Sequence, residues 1–210
     1  RMFPFTADEI PKFNLLKQLQ FGGLPPIVFS EEPWADLKDY CGEYLHEEIQ
    51  NEGVVRNIPG FSRFLETAAL SNAQTINYAN IARDCAIGAK TVKEYFQILE
   101  DTLIGYYLQP WFKSRKRRAI QIEKFYFFDC GVVNFLLNRT LSPKTPEFGQ
   151  SFEQWLILEV IAQKYYGGNI RHLHFWRSAS GYEVDLLIDE HTAVEFKTGP
   201  VSIQDAKGIL

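Results

Sequence analysis

The sequence predicts a mixed α/β protein in two parts: a helical module closed by a two-stranded wing, then a core ordered helix, strand, strand, strand, helix. Three features carry this expectation. Apolar residues recur at helical spacing through much of the first half, and two strand-like runs follow a helix-turn-helix pattern. The last third sets a strongly apolar helix before segments that alternate with a period of two. A chain of 210 residues can bury one large core or two small ones. We expect two, with residues 1–33 as a connector, 34–137 as the helical and winged module, 138–148 as a linker and 149–210 as the second domain.

Twenty-six acidic residues against twenty-two basic ones give a net charge of −4. The surface as a whole therefore does not attract nucleic acid, and DNA contact needs a local basic patch. Cys41, Cys85 and Cys130 are odd in number and widely spaced within apolar runs, which fits buried thiols in a reducing cytoplasm rather than disulfides or zinc. No secretory leader or spanning run is found, so no membrane partner is expected. Arg1 at the start, and a helical pattern that stops soon after Ser202, make the sequence read as a piece of a longer protein.

Residues 1–33 are punctuated by Pro4, Pro11, Gly22, Gly23, Pro25, Pro26 and Pro33, with room for a short helix at 10–20. Gly22-Gly23 lacks the Gly-Lys-Ser/Thr and strand context of a phosphate loop, so no nucleotide is expected in this part of the protein. From Trp34 to Asn51, Leu37, Tyr40, Cys41, Tyr44, Leu45 and Ile49 form the apolar stripe of a helix whose outer face is acidic. A further helix runs from Ser62 to Leu70, with Phe64, Leu65, Ala68 and Ala69 inward.

Ile81, Ala82 and Cys85, a turn at Ala86-Ile87-Gly88, and then Val92, Tyr95, Phe96 and Leu99 have the spacing of a helix-turn-helix. Lys90 and Lys93 fall near the outer face of its second helix. Strands at 103–108 and 120–128 would complete a winged helix. The wing tip would be Lys113-Ser114-Arg115-Lys116-Arg117-Arg118, five positive charges in six residues. Contact with nucleic-acid phosphates is its natural use, although such units also serve as packing modules and a basic loop can simply be solvated. Val132 to Leu137 begins another helix before the linker.

The helix from Gly149 to Tyr166 carries Phe152, Trp155, Leu156, Ile157, Val160, Ile161 and Tyr165, so it is expected to be buried on more than one side. Gly167-Gly168 ends it. Glu153 and Glu159 lie on it about 120° apart, so only one can aim at a given site. A strand at 170–177 and a turn at 178–181 lead to a hairpin in which Tyr182, Val184, Leu186 and Ile188 alternate with Glu183, Asp185, Leu187 and Asp189. A three-residue loop at 189–191 would set Asp185 opposite Glu195, place Lys197 on the same face, and leave Val184 and Phe196 for the core. Two carboxylates and an ammonium would then converge. Such carboxylates can hold Mg²⁺, and the lysine can orient a water or neutralise a phosphate. For the bare D-x9-E-x-K string the alternative is a salt-bridged, solvated strand face. His172 and His174 share a strand face but lack the partners of a zinc site.

This order of elements, with Gly149-x-x-Phe152-Glu153, Gly181-Tyr182-Glu183-Val184-Asp185 and Glu195-Phe196-Lys197, resembles the PD-(D/E)XK nuclease superfamily of restriction endonucleases and Holliday-junction resolvases. Further residues are similar to the C-terminal region of a large family of prokaryotic AAA+ ATPases of uncharacterised function. They include Arg1 to Phe5, Gly22-Gly23-Leu24-Pro25, Tyr44-Leu45, Val55-Arg56-Asn57, Glu100-Asp101, Lys124 to Asp129 and Phe152-Glu153. The resemblance implies a winged helix followed by a restriction-endonuclease-like α-β-β-β-α core that is C-terminally incomplete, with ATP bound in an upstream domain. It also implies Glu153, Asp185 and Glu195 as acids holding Mg²⁺, Lys197 as the catalytic lysine, and Glu183 and Arg177 as cleft residues. Val184 stands where the superfamily pattern has proline. The expected function is a DNA-binding or nuclease-like part of an ATPase, with Mg²⁺-dependent phosphodiester hydrolysis as the reaction. Its rival is a non-catalytic module that holds partner proteins, ATPase subunits or further copies of itself.

Overall fold

The computed structural model describes residues 2–44, 57–112, 123–167, 169, 172–178 and 181–200. The protein is mixed α/β. Helices α1 (Leu15–Phe21), α2 (Pro25–Val28), α3 (Pro33–Asp39), α4 (Ile58–Leu70), α5 (Tyr78–Cys85) and α6 (Ala89–Asp101) precede strands β1 (Gly105–Pro110) and β2 (Lys124–Phe127). Helices α7 (Cys130–Leu136) and α8 (Pro146–Gly167) follow, then β3 (Leu173–Arg177), β4 (Glu183–Ile188) and β5 (Thr192–Val194). The strands form one sheet in the order β2-β1-β3-β4-β5.

Strands on either side of residues 138–148 are hydrogen-bonded to each other. β1 runs parallel to β3, pairing Gln109 with His174 and Pro110 with Phe175, and the other neighbouring pairs are antiparallel. Trp111 N extends the parallel junction by donating to Phe175 O at 2.7 Å. A parallel pair needs a long crossover, and the segment containing α7 and α8 lies within it.

Local chemistry accounts for the helix starts. Asn57, Asn77 and Asp129 each cap a helix by accepting a backbone N–H three residues on, at 3.0, 3.0 and 3.1 Å. Pro33 opens α3, where its missing N–H costs nothing. Between α5 and α6 the chain turns at Ala86, whose φ is 54°. Ile81, Ala82 and Cys85 are buried there together with Val92, Tyr95, Phe96 and Leu99. Edge-on aromatic contacts run from Phe64 through Phe96 to Phe125, each with centroids 4.9 Å apart, and tie this helix pair to β2. All four β2 residues are buried. Its outer edge is covered by the segment after α4, where Ala73 N and Ile76 N donate to Phe125 O and Glu123 O. The three cysteines are free and buried.

Several boundaries differ from the sequence reading. The helix expected from Trp34 to Asn51 leaves α geometry after Asp39 and passes through a wider π turn at Tyr40–Tyr44 that contains Gly42. This turn keeps both Leu37 and Cys41 inward. Tyr165, expected inward, is half exposed at the end of α8 and meets the Phe3 ring at 5.4 Å. The third hairpin strand stops at Val194, so Glu195, Phe196 and Lys197 follow the strand rather than belonging to it. The continuation of the helix through 45–51, the wing tip with Lys113, Arg115, Lys116, Arg117 and Arg118, and the helix from Ser202 lie outside the described residues.

Gly22-Gly23 packs on Asp129. The carboxylate is buried and accepts Gly23 N at 2.7 Å, while burial pushes its pKa up to about 6 against the pull of its backbone donors. A Cβ at Gly22 would lie 2.0 Å from Asp129 Oδ1, and the φ of +80° there disfavours any L side chain. Gly22→Ala is therefore expected to cost at least about 2 kcal/mol, read as a lower urea midpoint at unchanged slope.

Candidate active site

The cleft is built from one face of the sheet and from α8. Alternation along β2 puts Lys124 and Tyr126 on the same side, and alternation along β4 does the same for Glu183 and Asp185 while Val184 and Leu186 are buried. Helix α8 is set in register by a buried amide relay. Phe127 N donates to Asn72 Oδ1 at 2.9 Å, Asn72 Nδ2 to Gln154 Oε1 at 3.0 Å, and Gln154 Nε2 to Phe127 O at 2.9 Å. The neighbouring residue, Glu153, therefore reaches the cleft. Glu159 points elsewhere and accepts Ala7 N at 2.9 Å. Asn72, Lys124, Gln150, Glu153, Arg177, Glu183, Asp185 and Glu195 help to line the resulting space of about 490 Å³.

Register brings the hairpin acids together. Ile188 pairs with Thr192, Leu187 with Ala193 and Leu186 with Val194, which leaves a three-residue loop and brings the next residues, Asp185 and Glu195, to the same cleft. Asp189 and Glu190 take left-handed φ values of 50° and 63° to close that loop. At Asp185 the ladder changes character: Phe196 N donates to Asp185 Oδ2 at 2.8 Å instead of to a strand carbonyl. This is why regular pairing ends before Glu195. Lys197 Nζ lies 2.8 Å from Glu195 Oε1, while Glu195 Oε2 is buried without a hydrogen-bond partner.

The charge at the centre of the cleft comes from a residue that the sequence reading did not assign to the site. Lys124 Nζ lies 2.7 Å from Glu183 Oε1 and 3.2 Å from Glu153 Oε1, with its side chain only 5% exposed. Tyr126 donates its hydroxyl to the same Glu153 oxygen at 2.7 Å. Burial opposes the ammonium, but Glu153 and Glu183 outweigh it and raise the Lys124 pKa. Burial, and then Glu153, push the Tyr126 hydroxyl well above its ordinary value, so it remains a donor. The available signal was one cation in the run Lys124-Phe125-Tyr126-Phe127-Phe128, since a lone charge in a buried strand needs a partner.

Asp185 is pushed up from 3.8 to about 6 by burial, with Glu153 and Glu195 adding to the rise and Phe196 N and Lys124 opposing it. A raised acid binds its proton more tightly in the folded state. Its contribution to stability is thus fully present below about pH 3.8 and is lost as the pH rises through about 6. Among the described residues no group of three or more His, Cys, Asp or Glu side chains is disposed to hold a metal ion. The expected trio of Glu153, Asp185 and Glu195 does not form such a group, and Glu153 is engaged by Lys124 and Tyr126. The other sequence candidates lie on α6. Lys90 is exposed and 3.7 Å from Glu94, and Lys93 sits over the Tyr78 ring at 5.0 Å.

These features define a mixed α/β protein with a cleft of acids and lysines beside a β-hairpin. Residues 12–142 match the family described as Domain of unknown function (DUF8612), and the chain belongs to that family. Residues 148–210 match the Domain of unknown function (DUF4143), so the two matches meet across 143–147. Two curated relatives are similar: Uncharacterized protein Mb2031c of Mycobacterium bovis and Uncharacterized protein Rv2008c of Mycobacterium tuberculosis. Each is 28% identical over 174 residues, covering 80% of this chain and 38% of its own length. The chain thus spans well under half the length of these relatives. No solved structure matches. Among the described residues no helix is long and apolar enough to cross a membrane.

Lys124→Met removes the cation that Glu153 and Glu183 share and leaves Glu183 only Arg177, 3.8 Å away. The expected loss of folding stability is about 3–5 kcal/mol, measured by chemical denaturation at pH 7.

Proposed function

We propose that this chain is the DNA-engaging, nuclease-like part of a larger ATPase, and that its cleft hydrolyses phosphodiester bonds with Mg²⁺ held by Asp185 and Glu195. The observation that carries this reading is the hairpin register, which pairs Leu186 with Val194 and so brings the next residues, Asp185 and Glu195, to one cleft, where Glu195 Oε2 is buried without a hydrogen-bond partner. Mg²⁺ is commonly held by one or two carboxylates and completed by water and substrate phosphate. This pair is therefore a sufficient donor set, and Glu153 need not ligate. When bound, the ion would supply an activated water and charge against the phosphate.

The protein's own groups divide the remaining work. Lys197, beside Glu195, orients the attacking water or holds a non-bridging phosphate oxygen. Arg177, half exposed and 3.8 Å from Glu183, offers a guanidinium to the substrate backbone. Asp185 must be ionised to hold the ion, so protons compete with Mg²⁺ as the pH falls through about 6. The basic segment Lys113 to Arg118 supplies a local patch for phosphate contact on a chain whose net charge is −4. The ATPase context is supported by the match at 148–210, a domain type typically found with AAA-type ATPases, and by relatives much longer than this chain. A non-catalytic interaction module is the second reading, favoured by the hold of Lys124 and Tyr126 on Glu153.

The full-length protein is expected to nick supercoiled DNA in Mg²⁺ or Mn²⁺. Asp185→Asn and Glu195→Gln should each slow it on the order of 100-fold or more, and the Mg²⁺ concentration needed for half the maximal rate should rise as the pH falls below about 6. Absence of cleavage with either metal selects the interaction module. Separately, reversing the charges of Arg115, Lys116, Arg117 and Arg118 should weaken DNA binding and flatten its salt dependence. An unchanged salt slope rules out DNA contact by the wing.

A further inference from the structure

Four carboxylates line one cleft, and they fall into two unequal pairs. Asp185 and Glu195 share the hairpin, where Asp185 is tied to Phe196 N and Glu195 to Lys197. Glu153 and Glu183 instead converge from α8 and β4 on the ammonium of Lys124, which comes from β2. Tyr126 OH donates to Glu153, Arg177 flanks Glu183, and the Phe175 ring lies 5.4 Å from Nζ. Two acids, a phenol and an aromatic face thus surround a point already filled by a cation. The Nζ···O distances of 2.7 and 3.2 Å suit an ammonium and are too long for the roughly 2.1 Å oxygen shell of Mg²⁺.

We infer that Lys124 is the resident cation of this cleft: its ammonium holds the place between Glu153 and Glu183 that a divalent ion would otherwise take, and so limits the cleft to a single ion at Asp185 and Glu195. This deepens the reading above and rests on it for the ion at the hairpin. A covalently tethered charge cannot dissociate, so Glu153 and Glu183 share a counter-charge whether or not metal is present. Lys124 thereby sets how many ions enter, and it acts as a positioning residue.

Counting bound Mn²⁺ by the loss of its free electron-resonance signal tests this on the full-length protein. The wild type and Lys124→Arg should each bind one ion, and Lys124→Gln should bind two. Mn²⁺ should also raise the melting temperature of Lys124→Gln more than that of the wild type. If Lys124→Gln is unfolded without metal, Mn²⁺ should restore the fold, and a protein still unfolded at saturating Mn²⁺ overturns the inference. Equal numbers of ions in the wild type and Lys124→Gln overturn it, as does a second ion in Lys124→Arg. A wild type that binds none beside a Lys124→Gln that binds one supports the role of Lys124 and removes the ion from Asp185 and Glu195.

Discussion

The buried ammonium of Lys124 is the interaction on which the cleft depends. A cation 5% exposed is tolerable only because two carboxylates meet it at 2.7 and 3.2 Å. Each partner comes from a different element: Lys124 from β2, Glu153 from α8 and Glu183 from β4. Lys124 lies in the part of the chain matched by the first family and both glutamates in the part matched by the second. Neither part alone carries the ion-paired cleft. The parallel pairing of β1 with β3 makes the arrangement possible, because it places β2 and β4 in one sheet.

Around this charge the packing is specific. The aromatic contacts from Phe64 to Phe125 anchor β2 to the helical part, and the relay through Asn72 and Gln154 fixes α8 against β2. Each amide in that relay is buried, so a shift of α8 by one residue would strand polar groups as well as move Glu153. Satisfied hydrogen bonds thus do at long range what periodicity does locally: they decide which acid of α8 enters the cleft.

The two halves of the cleft differ in what they leave available. Glu153 and Glu183 spend their charge on Lys124. Asp185 and Glu195 keep more of theirs, and the price of holding them close in a buried setting is the raised Asp185 pKa. Ending β5 at Val194 contributes to this half, because a continuous ladder would have drawn Phe196 N away from Asp185 Oδ2. A strand end is thus part of the site.

Much of this was legible in the sequence. The alternation from Tyr182 to Asp189 and a three-residue loop sufficed to find the hairpin and its register at Leu186 and Val194, because strand periodicity and turn length are local properties. The same locality made the inward faces of α5 and α6 readable at Ile81, Cys85, Val92 and Leu99. It misjudged the helix after Trp34, where the chain widens at Tyr40–Tyr44 to keep Cys41 buried. Local pattern could place Glu153 and Glu159 on different faces of α8 but could not choose between them. Nor could it foresee that β1 would pair with β3 or that Lys124 would enter the cleft. Those outcomes join residues far apart in the chain, and only burial and hydrogen-bond satisfaction in the assembled sheet determine them.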